Sequence, residues 1–75
     1  MNFGQAMEEV KKGNKVQRKG WNGGGMNLQA QFPSELSKMT HPYLYMTIPD
    51  CKEGIRLLPW QPSQVDLFSE DWDIV

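Results

Sequence analysis

The hydrophobic pattern changes period along the chain. Phe3, Met7 and Val10 fall at i, i+4 and i+7 with Ala6 beside them, the apolar stripe of a helix over residues 3–12. Asn2 is placed to cap its start, Glu8 to pair with Lys11 and Lys12 on the outer face, and Gly13 to stop it. From Met26 to Phe32 the period becomes two. Met26, Leu28, Ala30 and Phe32 alternate with Asn27, Gln29 and Gln31, as in a half-buried strand. Residues 43–48 alternate again, with Leu44, Met46 and Ile48 on one face and Tyr43, Tyr45 and Thr47 on the other. A strand that is apolar or aromatic on both faces needs cover on both, the second cover being another subunit or a ligand.

Shorter elements fill the intervals. Residues 15–19 read as a strand with Val16 and Arg18 on one face and Gln17 and Lys19 on the other. Gly20 and Trp21 end it, and Asn22-Gly23 is a hairpin signal because a type I′ turn needs positive φ at both positions. Residues 33–42 form a loop with room for a helical turn over 34–38. Pro49-Asp50 and Gly54 bracket a turn, and residues 55–58 return as a strand. Pro59-Trp60-Gln61-Pro62 makes a stiff corner before a short helix over 64–69. That helix is capped by Ser63, or else Pro62 takes its first position. Val65 and Phe68, three apart, are expected to pack inward. Residues 72–75 close the chain as a strand with Trp72 and Ile74 on one face. The sum is an α+β fold: an N-terminal helix and a short C-terminal helix on a mainly antiparallel sheet of about four or five strands, in a single domain over 1–75.

Composition narrows the picture. A chain of 75 residues buries only about 60% of its unfolded surface, and domains this small usually need a disulfide, a metal or a partner subunit. Cys51 is the one cysteine and His41 the one histidine, so neither an intrachain disulfide nor a Cys/His zinc cluster can form. A homo-oligomer is the expected remedy. The formal net charge is −1, which excludes a general polyanion binder. Charge is nonetheless segregated: Lys11, Lys12, Lys15, Arg18 and Lys19 lie early, and Asp66, Glu70, Asp71 and Asp73 late. The basic group can hold a single phosphate, or the two ends can pair. No apolar run is long enough to span a bilayer, and no signal-peptide pattern opens the sequence. Together with the lone cysteine this points to the cytoplasm.

Catalytic constellations are missing from the pattern. His41 sits in a Thr-His-Pro loop and Cys51 in a turn, Asp66 and Asp71 have no spacing that fixes a geometry, and no Gly-Lys-Ser/Thr follows the glycines 23–25. No enzyme activity, cofactor or metal is expected. Binding chemistry is richer. Trp72 belongs to the core by its alternation with Ile74. Trp21, at a glycine turn between cations, and Trp60, between prolines, read as exposed stacking platforms for a nucleobase. Tyr43 and Tyr45 add ring surface, Arg18 can grip phosphate, and Asn22, Gln64 and Asp66 can meet ribose hydroxyls or base edges. The same residues equally suit an aromatic-rich core with a dimer interface.

Beyond single residues, the order of motifs is informative. Asn2-Phe3-Gly4-Gln5-Ala6, Arg18-Lys19-Gly20-Trp21-Asn22-Gly23, Met26, Tyr43-Leu44-Tyr45-Met46, and Pro59-Trp60…Pro62-Ser63-Gln64…Asp66…Glu70-Asp71-Trp72 together resemble a family of small phage and prophage proteins, the second type of Thoeris anti-defence protein. The resemblance covers nearly all of the chain except residues 33–42. It implies a sponge: a cytoplasmic homotetramer in the bacterial host, with pockets at subunit interfaces, holding immune signalling nucleotides without cleaving them. The ligand class it implies is glycocyclic ADP-ribose and, in some members, cyclic di- or trinucleotides. Long nucleic acid and membrane are not implied partners. Carried over residue by residue, Trp21 would stack on a base, with Asn22 beside it and Arg18 meeting phosphate. Trp60, Ser63, Gln64 and Asp66 would complete the pocket, with Tyr45 as an additional wall. At Gly24 relatives often carry lysine, so one phosphate contact would be missing here. Some relatives have been described as anti-CRISPR proteins, which implies the alternative of an inhibitor that binds a bacterial defence nuclease through its surface.

Overall fold

The computed structural model describes residues 1–21, 25–50 and 54–75. In chain order the elements are α1 (Phe3–Lys11), β1 (Val16–Arg18), β2 (Asn27–Gln31), β3 (Tyr43–Asp50), β4 (Gly54–Pro59), α2 (Gln64–Phe68) and β5 (Trp72–Ile74). The strands form one antiparallel sheet in the order β4-β3-β2-β1-β5. The expected α+β architecture is therefore present. The hairpin signal Asn22-Gly23, Gly24 and Cys51 lie outside the described residues.

Strand alternation builds the core. Val16 pairs with Leu28 and Leu28 with Met46, so three apolar side chains line up across β1, β2 and β3 on one face. Ala6 and Val10 of α1 and Trp72 of β5 complete the buried set. Helix α1 reaches this face because its stripe is apolar and its start is well closed. Asn2 accepts from the Gln5 N–H at 2.8 Å while the Gln5 side chain accepts from the Asn2 N–H at 3.0 Å, a reciprocal capping box. Gly13, with φ of +97°, takes the left-handed conformation that ends the helix. Glu8 pairs with Lys11 as expected, but Lys12 pairs with Glu9 instead, one step round the helix.

Strand β3 runs two residues past its expected end, through Pro49 to Asp50. The parity of the ladder explains why proline is tolerated. The Trp60 N–H donates to the Leu44 carbonyl, so even-numbered residues of β3 point their main-chain groups at β4 and odd-numbered ones at β2. Pairing with β2 stops at Asn27–Thr47, so the N–H that Pro49 lacks has no ladder partner to lose. Pro49 packs instead against Gly25, where an added Cβ would lie 2.9 Å from the proline Cγ and φ is +87°. Any side chain at 25 would meet both obstacles.

The opposite face of the sheet carries Gln17, Gln29, Gln31, Tyr43, Tyr45, Thr47, Ile55 and Leu57. Neither helix packs on it among the described residues. Asn27, assigned by alternation to this polar face, is nonetheless buried and donates to the Gly25 carbonyl at 3.2 Å. The loop over residues 33–42 contains one turn within 34–38, closed by the Ser37 N–H donating to the Ser34 carbonyl.

Two expectations about inward packing fail. Val65 and Phe68 face solvent, Phe68 at 82% exposure, and Phe32 at the end of the β2 stripe is exposed as well. For α2 the reason is polar anchoring, described next. Ser63 provides its N-cap, so Pro62 precedes the cap instead of taking the first helical position.

Candidate functional site

The alternation that buries Val16 also brings Arg18 to the inner face at the end of β1. There it lies beside α2 and the entry to β5. Its Nη1 donates to Asp66 Oδ1 at 2.8 Å and its Nε to Asp71 Oδ1 at 2.9 Å. The Arg18 side chain is only 18% exposed and that of Asp66 14%, with Asp71 more open at 34%. Asp66 is also the third residue of α2. Its Oδ2 accepts from the Ser63 N–H and hydroxyl, each at 2.9 Å, while its own N–H donates to Ser63 Oγ at 3.1 Å. Its carbonyl accepts from Trp72 Nε1 at 3.1 Å. These bonds turn Asp66 inward and so rotate Val65 and Phe68 outward.

Electrostatics follow the bonding. Burial opposes ionisation of Asp66, but donors from Ser63 and Arg18 outweigh it and hold the carboxyl below its ordinary range. The Arg18 hydrogen bond chiefly does the same for Asp71. Both carboxylates in turn raise Arg18 further above its ordinary value. All are ionised near neutrality, so one cation faces two anions.

Aromatic rings border this polar cluster. The Trp21 N–H donates to the Arg18 carbonyl at 3.2 Å and the Lys19 N–H to the Asp71 carbonyl at 3.0 Å, fixing the turn over 18–21 against the start of β5. Trp72, 1% exposed, forms the floor. The Trp21 and Trp60 centroids stand 5.4 and 6.1 Å from it, edge to face, and 6.3 Å from each other. Pairs at these separations are in direct contact, so no base fits between the two indoles as they stand. Both indoles are only partly buried, so some of each ring's surface stays exposed.

The whole chain, residues 1–75, matches the model of the Thoeris anti-defense 2-like domain. The chain belongs to this family. It is also 34% identical over 84 aligned positions to the Thoeris anti-defense 2 protein of Bacillus phage SP01, covering 100% of this chain and 94% of that relative. Membership places the chain among phage anti-defence proteins, which act in an infected host. No helix among the described residues is long and apolar enough to cross a membrane.

The residues singled out for a Thoeris anti-defense 2 pocket divide into groups. Arg18, Trp21, Trp60, Ser63 and Asp66 come together in one corner although they are far apart in sequence. Gln64 is exposed on the first turn of α2, and Asn22 lies outside the described residues. Tyr45 is on the other face of the sheet, opposite Gln29 and Pro59. It lines a shallow hollow of about 220 Å³ with Gln31, Tyr43, Leu57, Leu58 and Pro59. Two sequence expectations about the corner need correction. Trp21 and Trp60 are half-buried against the core cluster rather than free platforms. Arg18 is engaged by two carboxylates, so the basic start and acidic end of the chain do pair. Asp71 was missing from the expected site. The Ser63…Asp66 spacing signalled the cap of α2, but no local pattern signals a contact to Arg18 from 53 residues away.

Proposed function

We propose that this anti-defence protein is a sponge that binds and sequesters a signalling cyclic nucleotide, glycocyclic ADP-ribose or a cyclic di- or trinucleotide, without cleaving it. The observation that carries this reading is the corner itself. Two partly exposed tryptophans stand beside a fixed set of charged donors and acceptors, an arrangement suited to a base with its attached sugar. The protein works in the cytoplasm of the bacterial host as a homotetramer, with the open side of each corner completed by a neighbouring subunit. Exposed Ile55 and Leu57 on the uncovered sheet face and Phe68 on α2 support association, since a core of this size gains from further burial.

The test is retention without turnover. Protein mixed with glycocyclic ADP-ribose is freed of unbound ligand and then heat-denatured, and the supernatant is analysed by mass. Intact ligand appearing only after denaturation supports the sponge. A cleaved product would replace it with a hydrolase. Light scattering on the purified protein checks the tetramer, and a monomer would remove the interfacial pocket.

A second reading, a surface inhibitor of a bacterial defence nuclease, is favoured by the outward apolar ridge of α2. It predicts co-purification with a nuclease and indifference to every nucleotide, the opposite outcome in the same retention experiment.

A further inference from the structure

We infer that Asp71 is a ligand-contacting carboxylate that reads ribose hydroxyls beside Trp21, and that Arg18 is its positioning residue rather than a phosphate clamp. The inference rests on the nucleotide-binding reading above and specifies which part of the ligand enters the corner.

Counting charge and acceptors leads there. Arg18 faces both Asp66 and Asp71 within 2.9 Å, so the trio carries a net negative charge. A phosphate entering would be repelled, whereas a hydroxyl would find acceptors. The two acids differ in what they have left. Asp66 is nearly filled and closed off: Oδ1 takes Arg18, Oδ2 takes both donors of Ser63, and the side chain is only 14% exposed. Asp71 spends Oδ1 on the Arg18 Nε and also draws on the Gly20 main-chain N–H, but no side chain among the described residues donates to its Oδ2. Its side chain is also the most exposed of the three at 34%. An ionised carboxylate offers about four lone-pair sites, so Asp71 keeps capacity on its solvent side.

Position supplies the rest. Asp71 Oδ2 lies beside Gly20, where an added Cβ would come within 3.5 Å of it, and Trp21 is the next residue. The turn that carries Trp21 is tied to Asp71 through the Lys19 N–H. A stacking surface and a partly exposed carboxylate, held by Arg18 and the Gly20 N–H, thus share one rigid frame. An acidic side chain accepting from ribose hydroxyls is a recurrent way of recognising the sugar of a nucleotide. Arg18 serves this arrangement from behind, fixing the Asp71 carboxylate through Oδ1.

The experiment measures glycocyclic ADP-ribose affinity for the unmodified protein, Asp71→Asn, Arg18→Lys and Gly20→Ala, with melting temperature as the check on folding. Asp71→Asn is expected to weaken binding roughly tenfold or more, the usual scale for a hydrogen bond to a charged group. Gly20→Ala leaves every hydrogen bond of the cluster in place and adds a methyl beside Oδ2. It is expected to weaken binding several-fold at unchanged melting temperature, which a purely structural role for Asp71 would not produce. Millimolar inorganic phosphate is expected not to compete. Undiminished affinity in both Asp71→Asn and Gly20→Ala overturns the inference, as does phosphate competition that Arg18→Lys abolishes. Those results would leave the sponge standing. Failure of the unmodified protein to retain the ligand would overturn the sponge and this inference together.

Discussion

The two helices of this protein start in the same way and end up doing opposite things. Both open on a reciprocal capping box, Asn2 with Gln5 and Ser63 with Asp66. Helix α1 then buries its apolar residues Ala6 and Val10, while α2 buries none of its residues and turns Val65 and Phe68 to solvent. Length is part of the difference. Nine residues give α1 a stripe long enough to cover β1, β2 and β5, whereas α2 has five. The larger part is anchoring. The third residue of α1 is held by its own cap alone. The third residue of α2 is additionally bound by Arg18 from β1, and its carbonyl by Trp72 from β5. Helix α1 is placed by hydrophobic burial and α2 by directional polar bonds. In a short helix the directional bonds decide which side faces in.

The contrast is easiest to break in α1. Val10→Asp places an unpaired charge at a site 2% exposed, among the most destabilising changes available, on the order of 4 kcal/mol or more. The domain should be unfolded at room temperature by circular dichroism. Native secondary structure in that variant would mean that α1 does not carry the core.

Next in size is the anchor of α2. Arg18→Ala leaves Asp66 and Asp71 as neighbouring anions without their cation, at a cost of about 2–3 kcal/mol, read as a lowered urea midpoint. Its counterpart on α1, Lys11→Ala, removes a solvent-exposed pair with Glu8 and should cost less than about 0.5 kcal/mol. Equal effects of the two would show that the inward ion pairs are no more than surface ones.

What could be read in advance follows the same division. Strands β2 and β3 and helix α1 were legible because burial writes a local period: Leu28 with Ala30, Leu44 with Met46, Met7 with Val10. The orientation of α2 was not. Val65 and Phe68 obey helical spacing, yet the contact that overrides them joins Arg18 to Asp66 across 48 residues, and nothing local records it. Trp21 misled for a related reason. Its neighbours are cations and glycines, which suggests exposure, but the turn over 18–21 folds its ring onto Trp72, a residue known locally only as part of a distant strand. The family motifs pointed to residues that the fold gathers in one corner, because such motifs carry distant pairings implicitly. They did not tell that Arg18 is already occupied.

Acid should separate the two anchoring modes. Asp66 and Asp71 have folded pKa values below their ordinary range. The stability they contribute is present above the ordinary carboxylate pKa and is lost as pH falls through the lowered folded values, from roughly pH 5 downward. The melting temperature should therefore drop over that interval. An Asp66→Asn, Asp71→Asn double variant should begin less stable and lose less on acidification. The carboxyl of Glu9 is lowered too, by Lys12 and Asn14, and at 20% exposure it adds its own share to the acid slope. An acid slope unchanged in the double variant would mean that other carboxylates govern it.

The smallest effect on the folded chain, and the sharpest on the comparison, is expected at Phe68. Because its ring already faces water, Phe68→Ser removes no buried surface within the subunit. It should change unfolding free energy by no more than about 0.5 kcal/mol, measured at a concentration where the protein is monomeric. Val65→Ser should behave alike. A large loss at either position under those conditions would mean that α2 packs by its apolar side after all. If the ridge is instead covered by a second copy, the loss will appear only at concentrations where light scattering detects the assembly, and it will grow with concentration as mass action requires. The apolar side of α2 would then do between subunits what that of α1 does within one.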